Sequence, residues 1–164
     1  MKKLSKEKFQ KKYIHCGYSF LDVPYHWEQH VRKAIVDIEK VMWPQWMPFW
    51  LKHIIHWLAC KNHIYKTNYY WAENLRAYLT NSTRITQIKD KYGGLRIYGY
   101  FNDEIDKIVE EAEKACDTCC ERCGVNSVKV QTVRIGSWYW TYCPQCTVES
   151  AILNHRKEER KQNG

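Results

Sequence analysis

The sequence predicts an α+β fold: a helical N-terminal half, then a β-hairpin–helix–zinc-ribbon C-terminal half. Three observations carry this expectation. Apolar residues before Leu79 recur at spacings of three and four. After Thr80 the pattern changes to alternation around Gly93-Gly94. Two C-x-x-C pairs, Cys120/Cys123 and Cys143/Cys146, stand nineteen residues apart, within the spacing of a four-thiolate zinc site.

Residues 1–12 are rich in lysine and read as a disordered or weakly helical basic arm. A first long helix is expected from Pro24, which suits a first-turn position. In it Trp27, Val31, Ala34, Ile35, Ile38, Val41 and Met42 repeat at helical spacing. Pro44 and Pro48 interrupt the chain, and Pro48 can open a second helix to about His63. A third is expected over Tyr69–Leu79. The segments Arg84–Lys89 and Leu95–Phe101 flank a glycine turn and predict a hairpin. Asn102 or Asp103 can cap a helix whose apolar stripe is Ile105, Ile108, Val109, Ala112 and Ala115. Strands are expected over Val128–Ile135 and Trp138–Tyr142 around Gly136-Ser137, and a last helix over Thr147–Lys161. The segments 1–12, 13–80 and 81–164 are thus an arm, a helical region and a hairpin–ribbon module, the last two read as one compact domain.

Each C-x-x-C lets one tight turn aim two sulfurs at one point, and two such turns complete a tetrahedron. Four cysteine ligands leave no open coordination position, so a zinc ion there would be structural. Cys116-x-x-Cys119 is a competing pair immediately upstream; Gly124 after Cys123 and the strand start soon afterwards favour Cys120 and Cys123.

The stretch Ile88-Lys89-Asp90-Lys91-Tyr92-Gly93-Gly94-Leu95-Arg96-Ile97-Tyr98 resembles the V-K-E-K-F-G-G-L-R-F-Y signature of small proteins common in bacteriophage and prophage genomes. In that family the signature precedes an Ala-Glu helix, C-E-x-C-G, a Gly-Trp strand and a closing C-x-x-C. Here Ala112-Glu113, Cys120-Glu121-Arg122-Cys123-Gly124, Trp138 and Cys143-Pro144-Gln145-Cys146 follow in that order, and Trp46-Met47-Pro48 is similar to an upstream G-W-x-P. The resemblance covers residues 46–146. It implies one zinc ion, a phage-type origin and non-ligand status for Cys116 and Cys119, which fall where Ser and Thr are usual. It implies no activity.

The net charge of +8 is concentrated at one end. Lys2, Lys3, Lys6, Lys8, Lys11 and Lys12 against Glu7 supply +5 of it within twelve residues. Such an arm can meet phosphates by counterion release, or it can be a solvated terminus. On the strand after the glycine turn, Arg96, Tyr98 and Tyr100 share a face opposite Leu95, Ile97 and Phe101. With Arg134, Trp138, Tyr139 and Trp140 of the second hairpin, they can stack bases or simply pack across strands.

His53, His56, Cys60 and His63 form a second candidate metal set on one helix face. Their span of roughly 15 Å lets only neighbours share an ion. The other reading is the wetter flank of an amphipathic helix. Trp43, Trp46, Trp50 and Trp57 are read as core, with a membrane-interface or partner-binding patch as the alternative.

No segment is expected to span a membrane: Val41–Cys60 holds Pro44, Pro48, Lys52, His53 and His56. No secretory signal is read at the N-terminus, which places the expected location in the cytoplasm, the host's if phage-encoded. No nucleophile elbow, P-loop, H-E-x-x-H or deaminase pattern occurs, so no enzymatic activity is expected. The sequence thus points to a non-enzymatic, zinc-stabilised protein binding nucleic acid through the lysine arm and the Arg/Tyr/Trp strand faces. The alternative is a phage accessory protein that binds and modulates a host protein through its Trp-rich half.

Overall fold

A computed structural model describes residues 5–13, 16, 21–65 and 70–162, with side chains for all of these except 6, 21, 22, 61–65, 70 and 162. The fold is α+β. In chain order it comprises α1 (Lys6–Tyr13), β1 (Leu21–Asp22), α2 (Glu28–Met42), α3 (Phe49–Tyr65), α4 (Tyr70–Leu79), β2 (Arg84–Lys91), β3 (Gly94–Tyr100), α5 (Asp103–Asp117), β4 (Gln131–Ile135), β5 (Trp138–Tyr142) and α6 (Pro144–Gln162).

α2 is the central element. Val31, Ala34, Ile35, Ile38 and Met42 are buried along one stripe, and Trp27 is buried just ahead of the helix. The helix ends at Trp43 in extended conformation, as a residue preceding proline requires. Pro48 then offers its carbonyl to the Leu51 and Lys52 amides and starts α3. Lys52 is buried and donates to Glu39 of α2, also largely buried, which locks the two helices together.

Of the two states expected for the N-terminal arm, disordered or weakly helical, the described residues take the helical one. Residues 6–13 form a helix anchored by Phe9, which is buried in the main core beneath the Arg32 guanidinium, 4.7 Å from its ring. Lysine-rich composition hides this anchor because a single apolar side chain makes no periodic pattern.

β2 and β3 form an antiparallel hairpin, and β1 adds to β2 in parallel. The turn is Tyr92-Gly93 alone, with φ of 56° and 73°, the two left-handed residues of a type I′ hairpin. A bulge between Ile85 and Gln87 explains why the buried Ile85 and Ile88 lie three apart, not two. Asn102 caps α5 by accepting the Ile105 amide at 3.0 Å, and Asp103, Glu104 and Asp106 fill its first turn. α5 covers the free edge of β3: Glu113 accepts the Ile97 amide at 3.0 Å and pairs with Arg96.

Leu95, Ile97, Ile105, Val109 and Cys116 join the α2 stripe in one core. A second, smaller cluster contains Val130, Tyr142, Cys120, Cys143 and Cys146, flanked by Val133, Ile135 and Trp140. It is centred on sulfur rather than hydrocarbon.

Candidate metal centre and its surroundings

The first cysteine pair sits on a tight loop in which the Gly124 amide donates to the Cys120 carbonyl and the Cys120 amide to the Val125 carbonyl, both at 2.9 Å. Gly124 adopts φ +75°, and a Cβ there would lie 2.4 Å from Nδ1 of His26. The second pair differs from the expected turn. Pro144 is the first residue of α6, three residues earlier than expected, and the Cys143 carbonyl accepts the Thr147 amide at 3.0 Å. Cys143 therefore caps α6 and Cys146 lies in its first turn, where burial and then the neighbouring thiols push the Cys146 thiol up.

The four sulfurs lie within 4.8 Å of one another. Cys123 Sγ and Cys143 Sγ are 3.7 Å apart, far beyond a disulfide bond of about 2.0 Å. A tetrahedron with metal–sulfur bonds of about 2.3 Å has edges of about 3.8 Å, so this set fits a four-coordinate ion. Cys120, Cys143 and Cys146 are buried and Cys123 is exposed at the rim. Burial works against the Cys120 thiolate, but the amides of Cys123, Cys143 and Arg122 outweigh it and bring this thiol down to about 7. The cluster can hold a metal ion.

Neighbouring contacts fix the loop to the sheet. The Glu121 amide donates to the Thr141 carbonyl at 2.9 Å, and its carboxylate accepts the Thr141 amide at 2.6 Å. Burial pushes the Glu121 carboxyl up to about 7, against the opposing pull of that Thr141 amide. Arg122 reaches α6 through Glu149 at 3.2 Å and Ser150 at 3.0 Å. From the helical half, Trp27 Nε1 donates to the Cys119 carbonyl at 2.8 Å.

Cys116 and Cys119 belong to the main core, outside the four-sulfur set, and burial raises both thiols. The Cys119 thiol faces the His26 and Gly124 carbonyls at 3.9 Å. These two cysteines pack the loop against α2.

The glycine turn of the first hairpin seats on β4–β5. Thr141 Oγ1 donates to the Gly93 carbonyl, and a Cβ on Gly93 would meet the Trp140 backbone at 3.1 Å. Tyr92 touches Tyr139 edge-on, with centroids 5.8 Å apart. The turn's backbone is therefore used in packing.

Strand register places Arg84, Gln87, Lys89 and Lys91 opposite Tyr100, Tyr98, Arg96 and Gly94, and therefore on the same sheet face. Arg84 lies over the Tyr100 ring at 5.0 Å, Lys89 over Tyr98 at 5.4 Å and Lys91 over Tyr92 at 5.6 Å. Tyr100 is 61% exposed, and neither strand contributes an acid to this face. Through Tyr92 the row continues to Tyr139, whose register partner is the exposed Arg134. Trp140 is instead half-buried and stacked on Tyr142, and Trp138 is exposed. The residues that sequence reasoning missed, Arg84, Lys89 and Tyr92, become legible only once the register is known.

Of the basic arm, Lys8, Lys11 and Lys12 lie on α1, where the Lys12 ammonium approaches the Phe49 ring of α3 at 6.0 Å. Lys2 and Lys3, and the side chain of Lys6, lie outside the described residues. In the second candidate set, His56 Nε2 and Cys60 Sγ are 3.4 Å apart, while His53 Nε2 meets the Lys12 carbonyl at 2.9 Å. The His63 side chain lies outside the described residues. Among the described residues, only the four-cysteine group brings three or more potential ligands together. No described helix is long and apolar enough to cross a membrane.

Comparison with protein-family models, with curated proteins and with solved structures gives no match to this chain.

Proposed function

We propose that this chain is a non-enzymatic, phage-type protein that binds single-stranded nucleic acid, with one structural zinc ion at Cys120, Cys123, Cys143 and Cys146. The observation that carries the binding role is the row Tyr100–Tyr98–Tyr92–Tyr139. Tyr100 and Tyr98 each have a cation above the ring from the neighbouring strand and Tyr92 has one from the preceding residue, Lys91, and β2 and β3 place no acid on the face. Each ring offers a stacking surface to a base without regard to sequence, while Arg84, Lys89, Lys91 and Arg134 meet the phosphates.

Zinc fits the other half of the proposal. The sulfur spacing matches a zinc–thiolate tetrahedron, and an all-thiolate donor set is one that zinc favours. When bound, zinc would supply cross-linking of the loop, β5 and α6 and no open coordination position for reaction. By holding β5 in place, Glu121 and Thr141 keep Tyr139 against Tyr92.

The test is fluorescence anisotropy with a labelled oligothymidine over a salt series. Wild type is expected to bind with affinity falling as salt rises. Tyr98→Ala/Tyr100→Ala should weaken binding by about 2–6 kcal/mol, from about 1–3 kcal/mol per stacked base. Absence of binding at low salt, or equal binding by the double variant, rejects the proposal.

A further inference from the structure

α3 is apolar on two faces. Toward the core it carries Leu51, Ile55, Ala59 and the ion-paired Lys52, whereas Trp50, Ile54 and Trp57 point outward, with Trp50 62% and Trp57 54% exposed. At 100° per residue these three fall within roughly a 60° arc. Phe49 is exposed beside them, and His53, Ile54, His56, Trp57 and Cys60 line an open groove of about 570 Å³. A soluble helix ordinarily places its charges outward and its apolar stripe inward, so a face of this kind is made to be covered.

Charge identifies the cover. Residues 40–72 contain no Asp or Glu. α1 docks at the start of this face, with Lys12 beside Phe49 and the Lys12 carbonyl against His53, and Lys11 exposed one residue away and 3.9 Å from Glu7. A second copy of the same face would set one Lys12 against the other, while Glu7, the acid on α1, is already paired with Lys11. Stacked bases would leave Ile54 without a suitable partner. Tryptophan at an apolar boundary with lysine alongside is the pattern that suits a bilayer interface.

We propose that the outward face of α3, flanked by Lys11 and Lys12 of α1, docks onto an anionic lipid bilayer surface. Trp50, Ile54 and Trp57 enter the headgroup–acyl boundary, and the lysines meet lipid phosphates. The helix lies on the membrane and does not span it. This surface is separate from the tyrosine row, so the two proposals fail independently.

The experiment is co-sedimentation of the full chain with vesicles of phosphatidylcholine alone, or of phosphatidylcholine and phosphatidylglycerol in equal parts. Tryptophan emission is recorded alongside, with and without brominated acyl chains. Wild type is expected to pellet with the anionic vesicles, shift its emission to the blue and be quenched by the brominated lipid. Trp50→Ala/Trp57→Ala should bind about tenfold or more weakly. Lys11→Glu/Lys12→Glu, on exposed or peripheral positions, should remove the preference for anionic vesicles at an unchanged melting point. Tyr98→Ala/Tyr100→Ala should bind vesicles like wild type. No vesicle binding by wild type, or no quenching by the brominated lipid, overturns the proposal whether or not the tryptophan variant folds. A solution dimer abolished by Trp50→Ala would assign the face to a second copy and overturn it too. So would an oligonucleotide shifting the emission through Trp50 and Trp57 without lipid.

Discussion

Gly93→Ala isolates the joint between the two hairpins. The residue has φ +73°, where a side chain other than glycine costs about 1–2 kcal/mol. Its added Cβ would also lie 3.1 Å from the Trp140 backbone and 3.0 Å from Thr132 Cγ2. Backbone in a paired strand cannot rotate away, so crowding adds about 1 kcal/mol, the lower end of overpacking costs. The total of about 2–3 kcal/mol corresponds to a melting point lowered by about 5–10 °C for a chain of this size. The assay is thermal and urea denaturation of the metal-loaded protein. Gly93→Asn separates the causes, because asparagine tolerates the left-handed conformation yet still brings a Cβ to Trp140. It should melt between wild type and Gly93→Ala. If Gly93→Ala melts within about 1 °C of wild type, or Gly93→Asn fully matches wild type, the hairpins do not meet at this glycine as described.

Lys52→Ala leaves Glu39 largely buried beside an uncharged side chain and should cost about 3 kcal/mol, read from urea midpoints at constant m. A change below about 0.5 kcal/mol would show that the α2–α3 ion pair is not held in the interior. Acidification should release the metal, because each thiolate must take up a proton. The sign follows from the ligands: a bound ion holds each sulfur as thiolate, protons compete for the sulfurs as pH falls, and a colorimetric zinc indicator across falling pH reads the release. Release that increased with rising pH in the same range would contradict a thiolate centre.

Much of this architecture follows from local signals. The α2 stripe, the Asn102 cap and the strand Trp138–Tyr142 are set by residues within a few positions of one another, and the structure reproduces them. The four-cysteine cluster is legible because ligand spacing encodes geometry. Other features depend on distant partners. Residues 128–130 fit a strand by composition, yet the Val130 amide turns back to the Ser127 carbonyl, Val128 is left exposed, and β4 starts at Gln131. The start of α6 at Pro144 depends on Cys143 acting as its cap, which a turn-like reading of C-P-x-C conceals. The Gly93–Trp140 seat and the Tyr92–Tyr139 contact join residues almost fifty positions apart, and no local pattern announces them. Likewise, the spacing of Trp50 and Trp57 shows that they share a face but not that the face points outward, because Leu51, Ile55 and Ala59 give α3 a second apolar face that takes the core side.

The most direct test of the metal centre is native mass spectrometry with elemental analysis of wild type and Cys146→Ser purified in parallel. The account requires one zinc ion per wild-type chain. In the variant it requires loss of that zinc and a lower melting point, since zinc binding at such a site is folding energy. A wild-type chain without metal, or a Cys146→Ser chain that keeps one zinc ion and the wild-type melting point, would contradict the four-cysteine centre.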